Sequence, residues 1–235
     1  MERLQKIIAE SGYCSRRNAE ELIKKGKIIL NGKVVTELGT KAGSGDTILV
    51  EGKEITKDDK EYYIFNKPRG VITSTSDDKH RKVVTDYFDT NKRLFPVGRL
   101  DYDTTGLLIM TNDGELANKI MHPSNEIEKE YIAKVVGIIK GEDIRELKKG
   151  ITIDGVRCIP KRVKLRKFDR RTNSSIVEIV ISEGKNHEVK KMFENLGFEV
   201  EKLKRERIGF LYLGNLNSGE YRKLNPKEIK QLLNL

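Results

Sequence analysis

The sequence has no tryptophan, only two cysteines and five prolines among its 235 residues. It also has no apolar run approaching the roughly 18 residues that a membrane span needs. The cysteines, Cys14 and Cys158, are far apart and form no Cys-x-x-Cys, which argues against a disulfide framework and against a zinc site. Buried thiols are the expectation. No glycine-rich phosphate loop, dinucleotide fingerprint, internal repeat or low-complexity segment is found, so nucleotide-cofactor chemistry is not indicated. The first residues, Met1-Glu2-Arg3-Leu4-Gln5, bring an acid at once and enter a helical pattern without an apolar leader, so a cytoplasmic protein is expected.

Charge, in contrast, is abundant. Lys and Arg number 46 against 36 Asp and Glu, for a formal net charge of +10. Such a balance points to a polyanionic partner. With 37% hydrophobic residues and charges that alternate in sign, the chain can still bury a core. Its length fits one or two domains.

Near the N-terminus Leu4, Ile7 and Ile8 fall at helical spacing up to Gly12, and Ser15 reads as the N-cap of a second helix with Ala19, Leu22 and Ile23 inward. Residues 28–35 form a hairpin pattern, because Asn31-Gly32 supplies the two positive φ angles of a tight turn. A further strand ending at Val50 turns at Glu51-Gly52. Arg3, Lys6, Arg16, Arg17, Lys24, Lys25 and Lys27 face only Glu10, Glu20 and Glu21 in this stretch, so the positive charge is concentrated there. Residues 56–61 are polar and read as a linker.

Residues 62–65 make a buried-strand pattern that runs into Asn66-Lys67-Pro68-Arg69-Gly70, a turn expected to display two cations, and residues 71–73 resume a strand. Gly98 and Gly106 bracket a loop holding Arg99 and Asp101, followed by the apolar strand Leu107-Leu108-Ile109-Met110. Asn112 and Glu115 suggest a capping box for the next helix. A carboxylate between a glycine hinge and an arginine is a candidate nucleophile or base. A turn-capping Asp paired with Arg99 is the commoner occurrence, and chemistry alone favours it. Residues 186–197 read as a helix with Asn186 as N-cap, a stripe of Val189, Met192, Phe193 and Leu196, and Lys190 flanking the stripe while Lys191 faces water. Arg162, Lys164 and Arg166 alternate along a strand, which suits an RNA track and a protected sheet edge equally well. His80, His122 and His187 read as surface or helix-end residues, and no metal ligand set is spaced for them.

Two resemblances follow from these motifs. Leu4-Gln5-Lys6, Gly12-Tyr13-Cys14-Ser15-Arg16-Arg17-Asn18-Ala19 and the hairpin resemble the small RNA-binding domain named after the fourth protein of the ribosomal small subunit. Gly98-Arg99-Leu100-Asp101-Tyr102-Asp103-Thr104-Thr105-Gly106-Leu107-Leu108 resembles the signature loop of the RsuA family of bacterial ribosomal RNA pseudouridine synthases. Asn66-Lys67-Pro68-Arg69-Gly70, Lys129-Glu130-Tyr131, Glu183-Gly184-Lys185-Asn186-His187-Glu188-Val189-Lys190-Lys191-Met192-Phe193 and Leu203-Lys204-Arg205-Glu206-Arg207-Ile208-Gly209 resemble that family's other motifs, in order. Glu188 stands where the family often has Gln.

The resemblance implies an α+β protein: a small αβ RNA-binding domain over residues 1–60, then a catalytic domain over 61–235 with a mixed, mainly antiparallel sheet. It implies conversion of uridine to pseudouridine without a cofactor or metal. Asp101 would be the nucleophile and Lys190 its ion-pair partner. Tyr131 would stack on the base, its share in proton transfer left open. Arg99 would fill the space of the extruded nucleotide, and Arg16, Arg17, Lys67, Arg69, Lys185 and Arg205 would meet RNA. The expected partner is ribosomal RNA or an assembling ribosomal subunit, most like the B-type enzymes of the large subunit, and the expected state is a monomer away from membranes. Two alternatives stay open: a non-catalytic ribosome-associated RNA binder, and a synthase for small-subunit rRNA or tRNA.

Overall fold

The structure, a computed structural model, describes residues 1–234. It divides into two compact units, one of Met1–Glu61, Asp89–Phe95 and Thr111–Gly114, the other of Tyr62–Phe88, Pro96–Met110 and Glu115–Leu235.

In the first unit, α1 (Leu4–Glu10) and α2 (Arg16–Lys24) form as their apolar spacing predicts. Ser15 Oγ accepts from the Asn18 N–H at 3.1 Å, which is the N-cap that starts α2. The hairpin of β1 (Ile28–Leu30) and β2 (Lys33–Val35) turns through Asn31 and Gly32 at φ 49° and 79°. β3 (Ile48–Val50) pairs antiparallel with β1 on its other edge and with β4 (Lys53–Glu54) beyond the Glu51-Gly52 turn. Leu4, Ile8, Ala19, Ile23, Ile28 and Val50 close the core, each contributing about 1.5–3 kcal/mol for the largest side chains. The polar stretch expected as a linker is tied down: Asp58 pairs with Lys92 at 2.6 Å, and the Asn112 side chain bonds the Glu61 N–H and the Asp59 carbonyl.

The second unit is built on a nine-stranded sheet among the described residues. Its main strands are β5 (Tyr62–Lys67), β6 (Thr105–Thr111), β7 (Lys129–Val136), β8 (Arg162–Asp169), β9 (Ser174–Ile181), β10 (Val200–Ile208) and β11 (Tyr221–Lys223). Their order is β8-β9-β7-β10-β6-β5-β11. β8, β9, β7 and β10 run antiparallel in turn, β10 is parallel to β6, and β11 is antiparallel to β5. The fold is therefore α+β with a mixed, mainly antiparallel sheet. α3 (Gly114–Met121), α4 (Gly141–Lys149), α5 (Glu188–Asn195) and α6 (Pro226–Leu233) complete the helices. β5 and β6 are apolar along nearly their whole length and buried, as strands covered on both faces must be.

Three local expectations change. The strand expected at residues 71–73 is a single bridge from Ile72 to Val83. Helix α5 begins at Glu188, because His187 sits in the left-handed region at φ 55° and breaks the run expected to start from Asn186. On β8, Arg162 and Arg166 both reach the buried Glu178, so two of the three alternating cations are committed to an internal carboxylate.

The sheet also sets up a row of three residues. Tyr131 on β7 lies opposite Arg205 on β10, which lies opposite Gly106 on β6. Gly106 has φ 105°, and a Cβ there would stand 2.2 Å from the Arg205 carbonyl oxygen. Only glycine permits that approach.

Candidate active site

The loop between Gly98 and Gly106 is held from beneath by Lys67. This lysine, at the end of β5, is fully buried, and its ammonium donates at 3.0 Å to the backbone carbonyls of Pro68, Asp101 and Thr104. Burial pushes its pKa down to about 8 against the opposing pull of Asp101 and Asp103. The turn at residues 66–70 thus displays one cation, the exposed Arg69, and not the two expected. Lys67 is turned inward, out of reach of an RNA phosphate, since its three protons are spent on main-chain oxygens. The loop is pinned again by Gly70 N–H to the Tyr102 carbonyl at 2.7 Å and by Thr73 Oγ1 to the Leu100 carbonyl at 2.6 Å.

Asp101 is left with its carboxylate forward and partly exposed. Lys190 Nζ, from α5, stands 3.1 Å from Asp101 Oδ2 and 2.6 Å from Asp103 Oδ1. Burial works against the Lys190 charge, but the hydrogen bonds it donates to Asp103 and Asp101 outweigh it and raise the ammonium above the ordinary lysine range. Burial likewise pulls Asp103 upward, and Lys190 overrules it, so the Asp103 carboxyl lies below its usual value. His187 Nε2 approaches Asp101 Oδ1 at 3.3 Å from an exposed position. The predicted pair of Asp101 and Lys190 is brought together, and the structure adds two partners that sequence reasoning leaves outside it, Asp103 and His187. The signal for His187 is its place three residues before Lys190 at the start of the same helix.

A cavity of about 880 Å³ opens beside this carboxylate, lined among others by Asp101, Arg99, Tyr131, Lys185, His187 and Arg205. Tyr131 is 8% exposed, and its hydroxyl accepts from Arg205 Nη1 at 3.2 Å. Arg205 is 3% exposed and donates from Nε to the Leu107 carbonyl at 2.8 Å. It meets the cavity from inside the protein, not from the surface. Lys185 is half-buried, 2.6 Å from Glu183 and 3.4 Å from Cys158 Sγ, and its hydrogen bond with Glu183 raises it. Cys158, Glu183 and Glu188 bring possible ligand atoms within 4.8 Å of one another, but the Lys185 ammonium already bonds two of the three. Glu188, the departure from the resembled motif, is buried. Its Oε2 accepts from the Lys185 N–H at 2.9 Å, and burial raises its carboxyl pKa. Arg99 is exposed at the cavity, Arg69 is exposed but does not line it, and Arg16 and Arg17 are exposed on α2 of the other unit.

Chemically the arrangement offers a carboxylate with a fixed cation and an aromatic side chain lining one half-open cavity. That set suits covalent or base chemistry on a planar heterocycle.

Known proteins match the chain along nearly its whole length. The family described as RNA pseudouridylate synthase matches residues 61–195, and the S4 domain matches residues 2–48. The chain is 52% identical over 233 residues to ribosomal large subunit pseudouridine synthase B of Bacillus subtilis (strain 168), covering 99% of this chain and 96% of that protein. It is 38% identical over 236 residues to the dual-specificity RNA pseudouridine synthase RluF of Escherichia coli (strain K12), covering 99% of this chain and 79% of that one. Among solved structures, a crystal structure of a pseudouridylate synthase superposes with a TM-score of 0.70 at 32% identity, covering 99% of this chain and all of the other.

Proposed function

The chain belongs to the RNA pseudouridylate synthase family, and from that premise we propose that it isomerises a specific uridine of large-subunit ribosomal RNA, with Asp101 as the nucleophile. The observation that carries the residue assignment is the Asp101 carboxylate lining the cavity that Tyr131 also lines, 3.1 Å from Lys190. The large-subunit assignment leans on the near full-length likeness to the Bacillus subtilis enzyme.

Pseudouridine formation breaks the bond from the ribose C1′ to N1 of uracil, turns the base, and rejoins it through C5. No electrons are gained or lost and no mass leaves, so the protein must loosen one bond and keep the detached ring in place. Asp101 acts on the nucleoside, and the Lys190 ammonium, 3.1 Å away, holds that carboxylate in place. Tyr131 stacks on the base. The exposed Arg99 takes the space of the flipped nucleotide. Flipping costs a few kcal/mol and least in a loop or bulge, so an unstacked uridine in folded RNA is the target. Residues 1–60 serve as the RNA-binding domain, through Arg16 and Arg17 on α2, and residues 61–235 as the catalytic domain. Arg69 and Lys185 bind phosphates as well, and the protein acts as a cytoplasmic monomer on rRNA or an assembling subunit.

The test is incubation of the purified protein with unmodified transcripts of both rRNAs, followed by carbodiimide labelling and primer extension, with Asp101→Asn as control. One new stop in the large-subunit RNA, absent with the variant, is the expected result. A stop in the small-subunit RNA would overturn the substrate. Binding without any stop, on transcripts and on precursor particles, would leave a non-catalytic RNA binder in its place.

A further inference from the structure

Arg205 carries a buried charge that the folded protein leaves unbalanced. Its guanidinium is 3% exposed, and among the described residues no carboxylate lies within 4 Å of it. Two of its arms are satisfied, Nε by the Leu107 carbonyl at 2.8 Å and Nη1 by the Tyr131 hydroxyl at 3.2 Å. The third, Nη2, is buried without a hydrogen-bond partner. An orphaned donor on a buried cation is costly, and native proteins seldom keep one without a use for it. The excess charge is felt next door: burial first, and then the Arg205 charge, hold the Lys129 ammonium below its ordinary range. Arg205 lines the same cavity as Asp101 and Tyr131, so a ligand there can supply what the fold does not.

We propose that Arg205 is a catalytic residue: Nη2 donates to a carbonyl oxygen of the target uracil, and the guanidinium stabilises the base while it is detached. This rests on the pseudouridine chemistry proposed for the cavity. When C1′–N1 breaks, the Asp101 carboxylate bonds C1′ while the electron pair of the broken bond stays on the base, and the resulting anion spreads its charge over both carbonyl oxygens. When C5–C1′ forms, the C1′–Asp101 bond breaks and returns its pair to the carboxylate, C5 gives up its proton and N1 gains one, so the product is an isomer of the substrate. The anion exists only between those two events. A cation fixed by two hydrogen bonds in a water-poor site favours that species over neutral uridine, and so lowers the barrier without tightening RNA binding. The row of Tyr131, Arg205 and Gly106 across three strands is what holds the fork still.

The test compares wild type, Arg205→Gln and Arg205→Lys on large-subunit rRNA transcript, reading single-turnover pseudouridine formation, RNA affinity by filter binding, and thermal melting. Gln keeps a donor without the charge. It should melt no lower than wild type, bind RNA within threefold, and react at least a hundredfold more slowly. Lys keeps the charge without the fork and should react at least tenfold faster than Gln. A folded Gln variant within threefold of the wild-type rate would overturn the assignment, as would equal losses in Gln and Lys, which would mean shape and not charge. Should Gln fail to fold, Lys decides: slower turnover at unchanged affinity supports the role, and an unchanged rate or a matching loss of affinity overturns it. Wild type without turnover on the transcripts and on precursor particles would instead overturn the reading of the cavity itself, and this inference with it.

Discussion

The Lys67 ammonium donates to the backbone carbonyl of Asp101 at 3.0 Å from a position with no exposure to water, so the loop that presents the carboxylate is fastened by a buried cation 34 residues earlier in the chain. Replacing Lys67 by Met would leave three inward carbonyls without their donor, at about 1–3 kcal/mol for each one not recovered by water. The pH dependence separates this from a general packing defect. Burial lowers the folded pKa to about 8 from an ordinary 10.5. Between those values the unfolded chain holds a proton that the folded chain has lost, so this group makes stability rise with pH across that window. Wild type should therefore gain on Lys67→Met by about 1.6 kcal/mol between pH 8 and 9.5, measured by denaturant unfolding. Parallel pH profiles for the two proteins would sink the argument.

Lys190 lies closer to Asp103 than to Asp101, at 2.6 Å against 3.1 Å. That geometry could suggest Asp103 as the working carboxylate, but only Asp101 lines the cavity. Asp101→Asn should leave melting within a few degrees and remove pseudouridine formation, a loss of at least a thousandfold. Asp103→Asn frees Lys190 to pair with Asp101 alone and should keep turnover within about fivefold. Lys190→Met should cost at least a hundredfold, because it strips the cation from two neighbouring carboxylates at once. Single-turnover assays of the three variants check the order, and an inactive Asp103→Asn with an active Asp101→Asn would reverse the assignment.

Local signals make much of this legible in the sequence. Asn31-Gly32 and Ser15 act within three residues of themselves, so a hairpin and an N-cap can be read directly. The loop of Asp101 and the basic residue of α5 can be named from motifs, though no spacing rule gives their 3.1 Å separation. What escapes depends on distant chain. The Asn66-Lys67-Pro68-Arg69-Gly70 segment is legible as a turn, but the direction of Lys67 is set by carbonyls at Asp101 and Thr104, which no local pattern reveals. Asn112 fits a capping box by spacing, but its bonds to the Glu61 N–H and the Asp59 carbonyl reach back some fifty residues, where no local pattern points. The late start of α5 follows from the left-handed backbone of His187, a conformation uncommon outside glycine and so not anticipated.

Gly106 is required by crowding and by conformation together. A Cβ there would lie 2.2 Å from the Arg205 carbonyl oxygen and 2.7 Å from its nitrogen, both backbone atoms that cannot swing aside, and φ is 105°. Gly106→Ala must part β6 from β10 or distort the loop that begins at Gly98. The expected outcome is a loss of roughly 3 kcal/mol or more in stability, with turnover falling further than the folded fraction does, since Arg205 is paired with this glycine and Asp101 sits on the loop it closes. Circular dichroism melts and single-turnover rates check it. A variant with wild-type melting and rate would show that the strands tolerate the methyl group.

Arg16 and Arg17 are exposed on α2, in the unit that matches the S4 domain, and neither lines the cavity. If they hold RNA phosphates, their effect should be electrostatic and uniform across sequences, not chemical. Removing one phosphate-binding arginine should reduce the slope of log affinity against log salt by about 0.7–0.9. Arg16→Ala with Arg17→Ala should therefore flatten the slope by about 1.5, weaken binding several-fold at moderate salt, and leave the rate at saturating RNA within about twofold of wild type. Both helices keep their core residues in this variant, and Ser15 still caps α2, so folding should hold. Filter binding across a salt series, paired with single-turnover rates, gives both quantities from one protein. An unchanged slope would remove these arginines from the RNA interface, and a lost rate at saturation would mean that the first unit does more than hold the substrate.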